Sequence, residues 1–395
     1  MSTSVPPGST EAPAHPAAHA ALHFDRREWA GAFGDLGTLV PFLLAYITIV
    51  GIDPAGMLLA FGVAFIAAGL VFRTPFPVQP MKAIGAVAVT GAAQTAVVTP
   101  EAVAVATLVT GIIWLAVAFT GAVERVAHWV GRPVIIGITL GLGFAFMLDG
   151  TRMMASGIAL AAPLLLVTIL LLSNRAVLAM VLILAVGAAW AVLADPSVAA
   201  SLARVEAGLK LPSWPFHDLS WEAVFVGVAL LALPQVPLTL GNAILAPVEF
   251  NNRAFPDRPT DERRVAVSTG VMNALGSLIG GVPMCHGAGG MAAQVNFGAR
   301  TGGAPVILGL ALIVIALGFS DSVATFLRLF PQPALGVMLF LAGLQLALGS
   351  CEFSRDKGER FATLGTAALA VWNVGVAFVF GIAVLWIVRR GWLRL

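Results

Sequence analysis

Apolar residues run along this chain in blocks separated by short polar turns, and the lengths of those blocks set the first expectation. They fall near 31–50, 55–72, 78–96, 102–122, 132–149, 154–173, 176–194, 222–247, 264–282, 285–298, 303–320, 326–349, 361–374 and 375–389, fourteen in all. A helix of about 20 apolar residues spans the hydrocarbon layer, and shorter ones need a break or shielding by neighbours. The pattern predicts an all-α polytopic membrane protein. Residues 1–24 read as a disordered cytoplasmic tail: the first twenty are rich in Pro, Ala and Ser and lack the charged start and apolar core of a signal peptide. His15, His19 and His23 fall four apart there, but Pro16 lies among them and a solvated tail is the plainer reading.

The polar stretch 195–221 divides the blocks into two sets of seven, residues 25–194 and 222–395. Seven is odd, so the second set crosses the membrane upside down relative to the first, an arrangement common in secondary transporters. Charge gives an independent check. With both termini in the cytoplasm, Arg26, Arg27, Arg73, Arg125, Arg132, Arg175, Arg253, Arg258, Arg263, Arg264, Arg300 and the arginines near the C-terminus fall inside. Arg152, Arg204 and Lys210 fall outside, with Arg328 at the boundary, and this is the asymmetry of the positive-inside rule.

Composition removes the soluble alternative. Of 395 residues, 59% are hydrophobic and 11% charged, whereas soluble domains carry about 25% charged residues. A net charge of +2 with no basic run longer than two residues argues against a nucleic-acid partner. Cys285 and Cys351 form neither a CxxC motif nor a disulfide framework. No nucleophile–base pattern, phosphate loop or HExxH is present, so the sequence points to no enzyme, no cofactor and no metal.

Two blocks carry the chemistry. Thr74-Pro75-Phe76-Pro77-Val78-Gln79-Pro80 holds three prolines, which have no amide proton and disfavour helix in the residue before each of them. The partner, Gly280-Gly281-Val282-Pro283-Met284-Cys285-His286-Gly287-Ala288-Gly289-Gly290, is again broken backbone followed by a helix start. Both are third in their half and both open on Pro-Met, as Pro80-Met81 and Pro283-Met284. Irregular backbone at membrane depth survives only where it is buried in protein or lines a wet cavity. Two helix starts facing each other near the midplane pool free N–H donors and positive dipole ends, a site for an anion.

Lys82 strengthens that expectation, since an intramembrane ammonium is costly unless compensated; its other reading is snorkelling or a structural ion pair. Asp35 carries a coupling proton or pairs with Lys82, or else caps the first helix. Gln79, Gln235 and Asn242 offer neutral amides to an oxyanion, or satisfy broken helices. His286 beside Cys285 supplies too few ligands for zinc; it reads as a pore-lining donor and second coupling candidate, or as a packed neutral ring. Asn273 reads as a packing residue.

At these residues the chain resembles a known family. Gly31-Ala32-Phe33-Gly34-Asp35-Leu36-Gly37-Thr38, Pro77-Val78-Gln79-Pro80-Met81-Lys82, Pro237-Leu238-Thr239-Leu240-Gly241-Asn242, Pro283-Met284-Cys285-His286-Gly287-Ala288-Gly289-Gly290 and Phe297-Gly298-Ala299-Arg300-Thr301-Gly302-Gly303 are similar to blocks of the molybdate transporters, a branch related to the sulfate permeases. The resemblance implies fourteen helices in two inverted repeats. Helices one to four and eight to eleven would form a substrate-carrying core, and helices five to seven and twelve to fourteen a gate or scaffold. It implies a tetrahedral oxyanion as substrate, molybdate first and sulfate or tungstate second, carried by alternating access across the cell membrane. The alternative is a sulfate or other anion permease, or an anion channel, of the same fold. Gln79, Pro80, Met81, Lys82, Gln235, Asn242, Cys285, His286 and Gly287 are the expected substrate contacts, and a homodimer is compatible with the pattern. The chain ends Arg389-Arg390-Gly391-Trp392-Leu393-Arg394-Leu395, so the soluble C-terminal domain of sulfate permeases is not expected. Ala83 stands where relatives often carry a hydroxyl residue, which puts one ligand hydrogen bond in doubt.

Overall fold

The computed structural model describes residues 21–81, 98–123, 125, 131–348 and 353–392. Lys82 and the helix expected after it lie outside the described residues.

The first apolar block is two helices, α1 (Arg26–Ala32) and α2 (Leu36–Ala45), the second running on into a π-helical turn at Tyr46–Val50. Asp25 caps α1 by accepting from the amides of Arg27 at 2.8 Å and Glu28 at 3.1 Å. Helices α3 (Pro54–Phe72), α4 (Pro100–Phe119) and α5 (Arg132–Ala155) are each long and apolar enough to cross a membrane. Each opens on a proline in its first turn, where the missing N–H costs no helical bond. Helix α6 (Ile158–Ala194) is continuous across Asn174–Arg175, the gap between the sixth and seventh apolar blocks. No proline or glycine lies between Pro163 and Gly187, so nothing in the covalent chain interrupts the helix there. A short helix, α7 (Pro196–Leu202), follows after a bend of 105°.

The second half opens with α8 (Trp221–Phe225), α9 (Leu233–Thr239) and α10 (Ala246–Ala254), joined through π-helical stretches at Val226–Ala232 and Leu240–Leu245 into one helical run. Pro234 and Pro237 supply no amide proton, and the wider π turns beside them accommodate the missing bonds. Then come α11 (Glu262–Ser277), α12 (Ala288–Asn296), α13 (Gly303–Gly318), α14 (Val323–Leu327), α15 (Gln332–Leu348), α16 (Lys357–Trp372) and α17 (Val374–Arg389). The crowded final pair is indeed two helices. Asn373 alone separates them, extended in backbone and capping α17 through Val376 N at 3.0 Å.

Small residues let the helices close on one another. A Cβ on Gly309 of α13 would lie 2.6 Å from Gly62 O of α3, and one on Gly62 would lie 2.7 Å from Gly309 O. Helices α4 and α11 cross through Gly111 in the same way, its Cβ position 2.9 Å from Ala274 Cα. Without a hydrophobic force between helices in lipid, such close backbone approach is what binds them.

The two ends of α3 collect different chemistry. At its C-terminal end Arg258 donates to Arg73 O at 2.6 Å and Arg300 O at 3.3 Å, and Arg264 donates to Val71 O at 2.8 Å. Glu28, buried, accepts there from the amides of Arg300 at 2.8 Å, Thr301 at 2.9 Å and Ala304 at 3.0 Å, fixing α1 to the start of α13. At the other end Lys210 of the long loop bridges Asp53 at 3.5 Å and Asp321 at 3.0 Å. Arg328 joins the loop as well, reaching Asp195 at 2.7 Å and Ser197 at 2.8 Å. The protein is a multi-pass helical membrane protein with arginine-rich loops gathered at one end of α3.

Leucine at position 309 forces α3 and α13 apart. Gly309→Leu is expected to destabilise by about 1–3 kcal/mol or more, as over-packing does, read as a lowered Tm of the purified protein. An unchanged Tm contradicts the packing described.

Candidate functional site

The two broken stretches meet. Gln79–Pro80 forms strand β1 and Met284–Cys285 forms strand β2, paired antiparallel with Gln79 opposite Cys285 and Pro80 opposite Met284. Met81 N donates to Pro283 O at 2.8 Å and extends the ladder by one bond. Proline explains why neither stretch is helical, and burial explains why they pair with each other. Gln79, Pro80, Met81, Met284 and Cys285 are all buried, so their backbone groups have no water to satisfy them.

Asn273 of α11 holds β2 in place. Its Nδ2 donates to Met284 O at 2.6 Å and its Oδ1 accepts from Met284 N at 2.8 Å. This is a polar clamp on the edge of the ladder, where the sequence suggested packing alone. Asn273 is fully buried, and a buried amide requires partners.

His286 lies buried between the two stretches. Its Nδ1 is 2.7 Å from Pro77 O and its Nε2 is 2.8 Å from Ser268 Oγ. A carbonyl only accepts, so Nδ1 donates, and in the neutral ring Nε2 accepts from the serine hydroxyl. Phe72 and Phe76 meet the ring edge-on at 5.5 and 5.1 Å. Both nitrogens are thus committed to protein, the packed-ring alternative of the sequence rather than a donor held open.

Gln79 is committed too. Its Nε2 donates to Asp35 Oδ1 at 2.6 Å and to Thr38 Oγ1 at 2.7 Å, and the Thr38 hydroxyl contacts Asp35 in turn. Asp35 stands at the N-cap position of α2, yet its side chain makes no capping bond. It faces Gln79 and Thr38 instead. Gln79 Oε1 is buried with no hydrogen-bond partner among the described residues.

All this converges on the start of α12. Gly287 occupies its N-cap with no side-chain cap, and residues 288–294 are buried. The first amides of a helix have no acceptor within it. A Cβ on Gly287 would collide with Gln79 Oε1, one on Gly289 with the ring of Phe146, and one on Gly290 would lie 2.7 Å from Pro77 Cβ and 2.8 Å from Gln79 Nε2. Glycine at these three positions is what lets the polar cluster approach the helix end.

The remaining candidates stand around this centre. Gln235 Nε2 donates to Thr239 Oγ1 at 3.0 Å, and Thr239 Oγ1 lies 3.8 Å from Met81 Sδ, which connects α9 to the end of β1. Thr38 and Thr239, absent from the sequence candidates, are the hydroxyls that join Asp35 and Gln235 to the strand pair. Asn242 is nearly buried on the second π stretch, its Oδ1 without a partner among the described residues. An orphaned buried acceptor of this kind marks a place for a water or a ligand. Cys285 is buried and not disulfide-bonded. Structure does not bear on Lys82, which lies outside the described residues.

Removal of the Asn273 clamp leaves a buried N–H and C=O of Met284 unpartnered, at about 1–3 kcal/mol for each. Asn273→Leu is therefore expected to lower the Tm of the purified protein markedly, with Asn273→Asp, which keeps the acceptor, falling between. Equal Tm in all three contradicts the clamp.

A family model described as molybdate transporter of the MFS superfamily matches residues 27–146 and 227–346, one stretch in each half. Molybdate transporter 2 of Arabidopsis thaliana is 32% identical over 411 residues, covering 91% of this chain and 86% of that protein. Molybdate transporter 1 of the same plant is 29% identical over 414 residues, covering 91% and 88%. Among solved structures, the murine Solute Carrier 26 family member A9 anion transporter in its inward-facing state superposes with a TM-score of 0.60 at 12% identity, covering 95% of this chain and 70% of that one. The transmembrane domain of the cyanobacterial bicarbonate transporter BicA gives 0.50 at 17% identity, covering 90% and 98%. At these identities the likeness is one of fold. The matches across both halves, together with a relative above 30% identity aligned over most of its length, place this chain in the molybdate transporter family.

Proposed function

We propose that this protein is a secondary active transporter that takes up a tetrahedral oxyanion, molybdate first, by alternating access. The observation that carries the proposal is the uncapped, fully buried start of α12 held against the β1–β2 pair. A helix start with unsatisfied amides and a positive dipole end favours an anion. The curated relatives are named molybdate transporters, which supports this anion over others.

In this reading the amides at Gly287, Ala288 and Gly289 meet the dianion, and Lys82, one residue past Met81, supplies the compensating positive charge. Gln79, Gln235, Asn242 and Cys285 would stand around the anion, with Gln79 acting as the bridge to Asp35. Asp35 is the better-placed coupling group, because both nitrogens of His286 are engaged by Pro77 and Ser268. Proton coupling would run through the Asp35–Thr38–Gln79 cluster.

Inverted repeats of seven helices are part of the proposal. The second helix of the first half, α3, packs on the eleventh, α13, and the fourth, α4, packs on the ninth, α11. A two-fold relation between halves exchanges exactly those two pairs, and it carries β1 onto β2. The core would then comprise helices one to four and eight to eleven, sliding against a scaffold of the rest, with both termini cytoplasmic. Fourteen crossings need a reversal within Ile158–Ala194, which is one continuous helix here, so the side on which the C-terminus lies decides between an even and an odd count. A C-terminal reporter active only in the cytoplasm should then be active; an inactive reporter on a well-expressed protein overturns the even count.

Binding titration of the purified protein with molybdate, tungstate and sulfate tests the function. Saturable binding with molybdate tightest is expected, and Lys82→Ala should weaken it at least about tenfold, as loss of a hydrogen bond to a charged group does. No saturable binding of any of the three ends the proposal. Tightest binding of sulfate reassigns the substrate, and unchanged affinity in Lys82→Ala removes that residue from the site.

A further inference from the structure

Away from the strand pair, a groove of about 610 Å³ runs along the outside of the molecule between α3 and α11. Val63, Ala67 and Val71 of α3 form one wall, and Val271 and Leu275 of α11 the other. Val63, Val71, Val271 and Leu275 are substantially exposed for large apolar side chains, as residues facing hydrocarbon would be. One end of the groove is different. Arg263 and Arg264 stand there, in the first turn of α11.

Helix electrostatics does not account for that placement. The N-terminal turn of a helix carries a positive dipole end, which disfavours cations. Arg264 has a structural task, donating to Val71 O at 2.8 Å and lying 5.6 Å over the Phe72 ring. Asp261, the nearby acid, turns its carboxylate to the α11 backbone and caps Arg264 N at 2.7 Å. Arg263 is exposed and has no hydrogen bond or ion pair among the described residues. The groove therefore offers an apolar trough ending in a cationic rim, at the end of α3 where the arginine-rich loops gather. An amphiphile with a long hydrocarbon tail and an anionic head is complementary to both parts.

We propose that this groove is a binding site for an anionic phospholipid, with an acyl chain along the α3–α11 trough and the headgroup phosphate at Arg263 and Arg264. The occupant touches the transport machinery through a short path. Ser268 forms part of the groove wall, and its hydroxyl holds His286 Nε2 at 2.8 Å, while His286 Nδ1 holds Pro77 O at 2.7 Å. Lipid packed against Ser268 thereby stiffens the junction between the two broken stretches. This site is independent of which solute the protein carries.

Native mass spectrometry of the purified chain, with equal amounts of dioleoylphosphatidylglycerol and dioleoylphosphatidylcholine, tests the proposal. One phosphatidylglycerol should stay bound under activation that strips phosphatidylcholine. Ala67→Trp, which fills the trough from an exposed position, should abolish retention. Arg263→Gln should lower it about fivefold, the effect of one basic charge near an anionic headgroup. Leu170→Trp on α6, outside the groove and 71% exposed, controls for a general effect of an added ring and should leave retention unchanged. Equal retention of the two lipids, or undiminished phosphatidylglycerol in Ala67→Trp, overturns the proposal. A dimer that Ala67→Trp dissociates also overturns it, and assigns the groove to a second copy of this chain.

Discussion

Backbone that leaves the helix inside a membrane must find hydrogen-bond partners in the protein, because lipid offers none. Among the described residues, the stretches at Gln79–Pro80 and Met284–Cys285 leave the helix in the buried interior, and each pairs with the other. The ladder between Gln79–Pro80 and Met284–Cys285 is only two residues long on each side, yet it fixes the relative position of segments some 200 residues apart in sequence. Asn273 completes the ladder on one flank and His286 closes it on the other, one by grasping Met284 and the other by bridging Pro77 to Ser268. The strand pair is therefore a rigid junction, and the free end of α12 is presented by it.

The junction is tied into its surroundings at both ends of α3. The junction belongs to a set of helices tied together at the arginine-rich end by Glu28, whose carboxylate binds three amides at the start of α13, and by Arg258, which binds carbonyls of two loops. At the opposite end Lys210 fastens the long loop to Asp53 and Asp321; the hydrogen bond to Asp321 is the chief reason its ammonium is held above the ordinary lysine range. Phe146 of α5 stands with its ring over Gly289 at the start of α12. In the alternating-access proposal these tied helices move as a body past α5, carrying the helix start with them. The same bonds explain why glycine stands at 287, 289 and 290: a side chain at any of the three would push Gln79, Phe146 or Pro77 off the helix end.

Much of this was legible in sequence, for physical reasons that differ residue by residue. Proline at 75, 77 and 80 and glycine around 283 announce broken backbone whatever the tertiary context, and apolar block length announces membrane crossing. What proline cannot announce is its partner; the matching third position in each half pointed to it, and the strands do pair. Other features escaped. The clamp from Asn273 to Met284 spans a fold of the chain that no local pattern encodes, and the grip of Glu28 on α13 joins residues more than 270 positions apart. His286 and Gln79 were recognised as polar groups at a site, but which atom each turns toward a solute depends on Ser268, Pro77, Asp35 and Thr38, none adjacent in sequence. The break between the sixth and seventh blocks, at Asn174–Arg175, rests on polarity, and polarity alone does not end a helix that has neither proline nor glycine to stop it.

Molybdenum scatters anomalously, so the solute can be located directly. Crystals of the protein soaked in molybdate and measured across the molybdenum absorption edge should show one strong anomalous peak within hydrogen-bonding reach of the amides at Ala288 and Gly289, beside the β1–β2 pair. A peak elsewhere in a well-ordered molecule, or no peak at saturating molybdate, contradicts an anion site at this helix start.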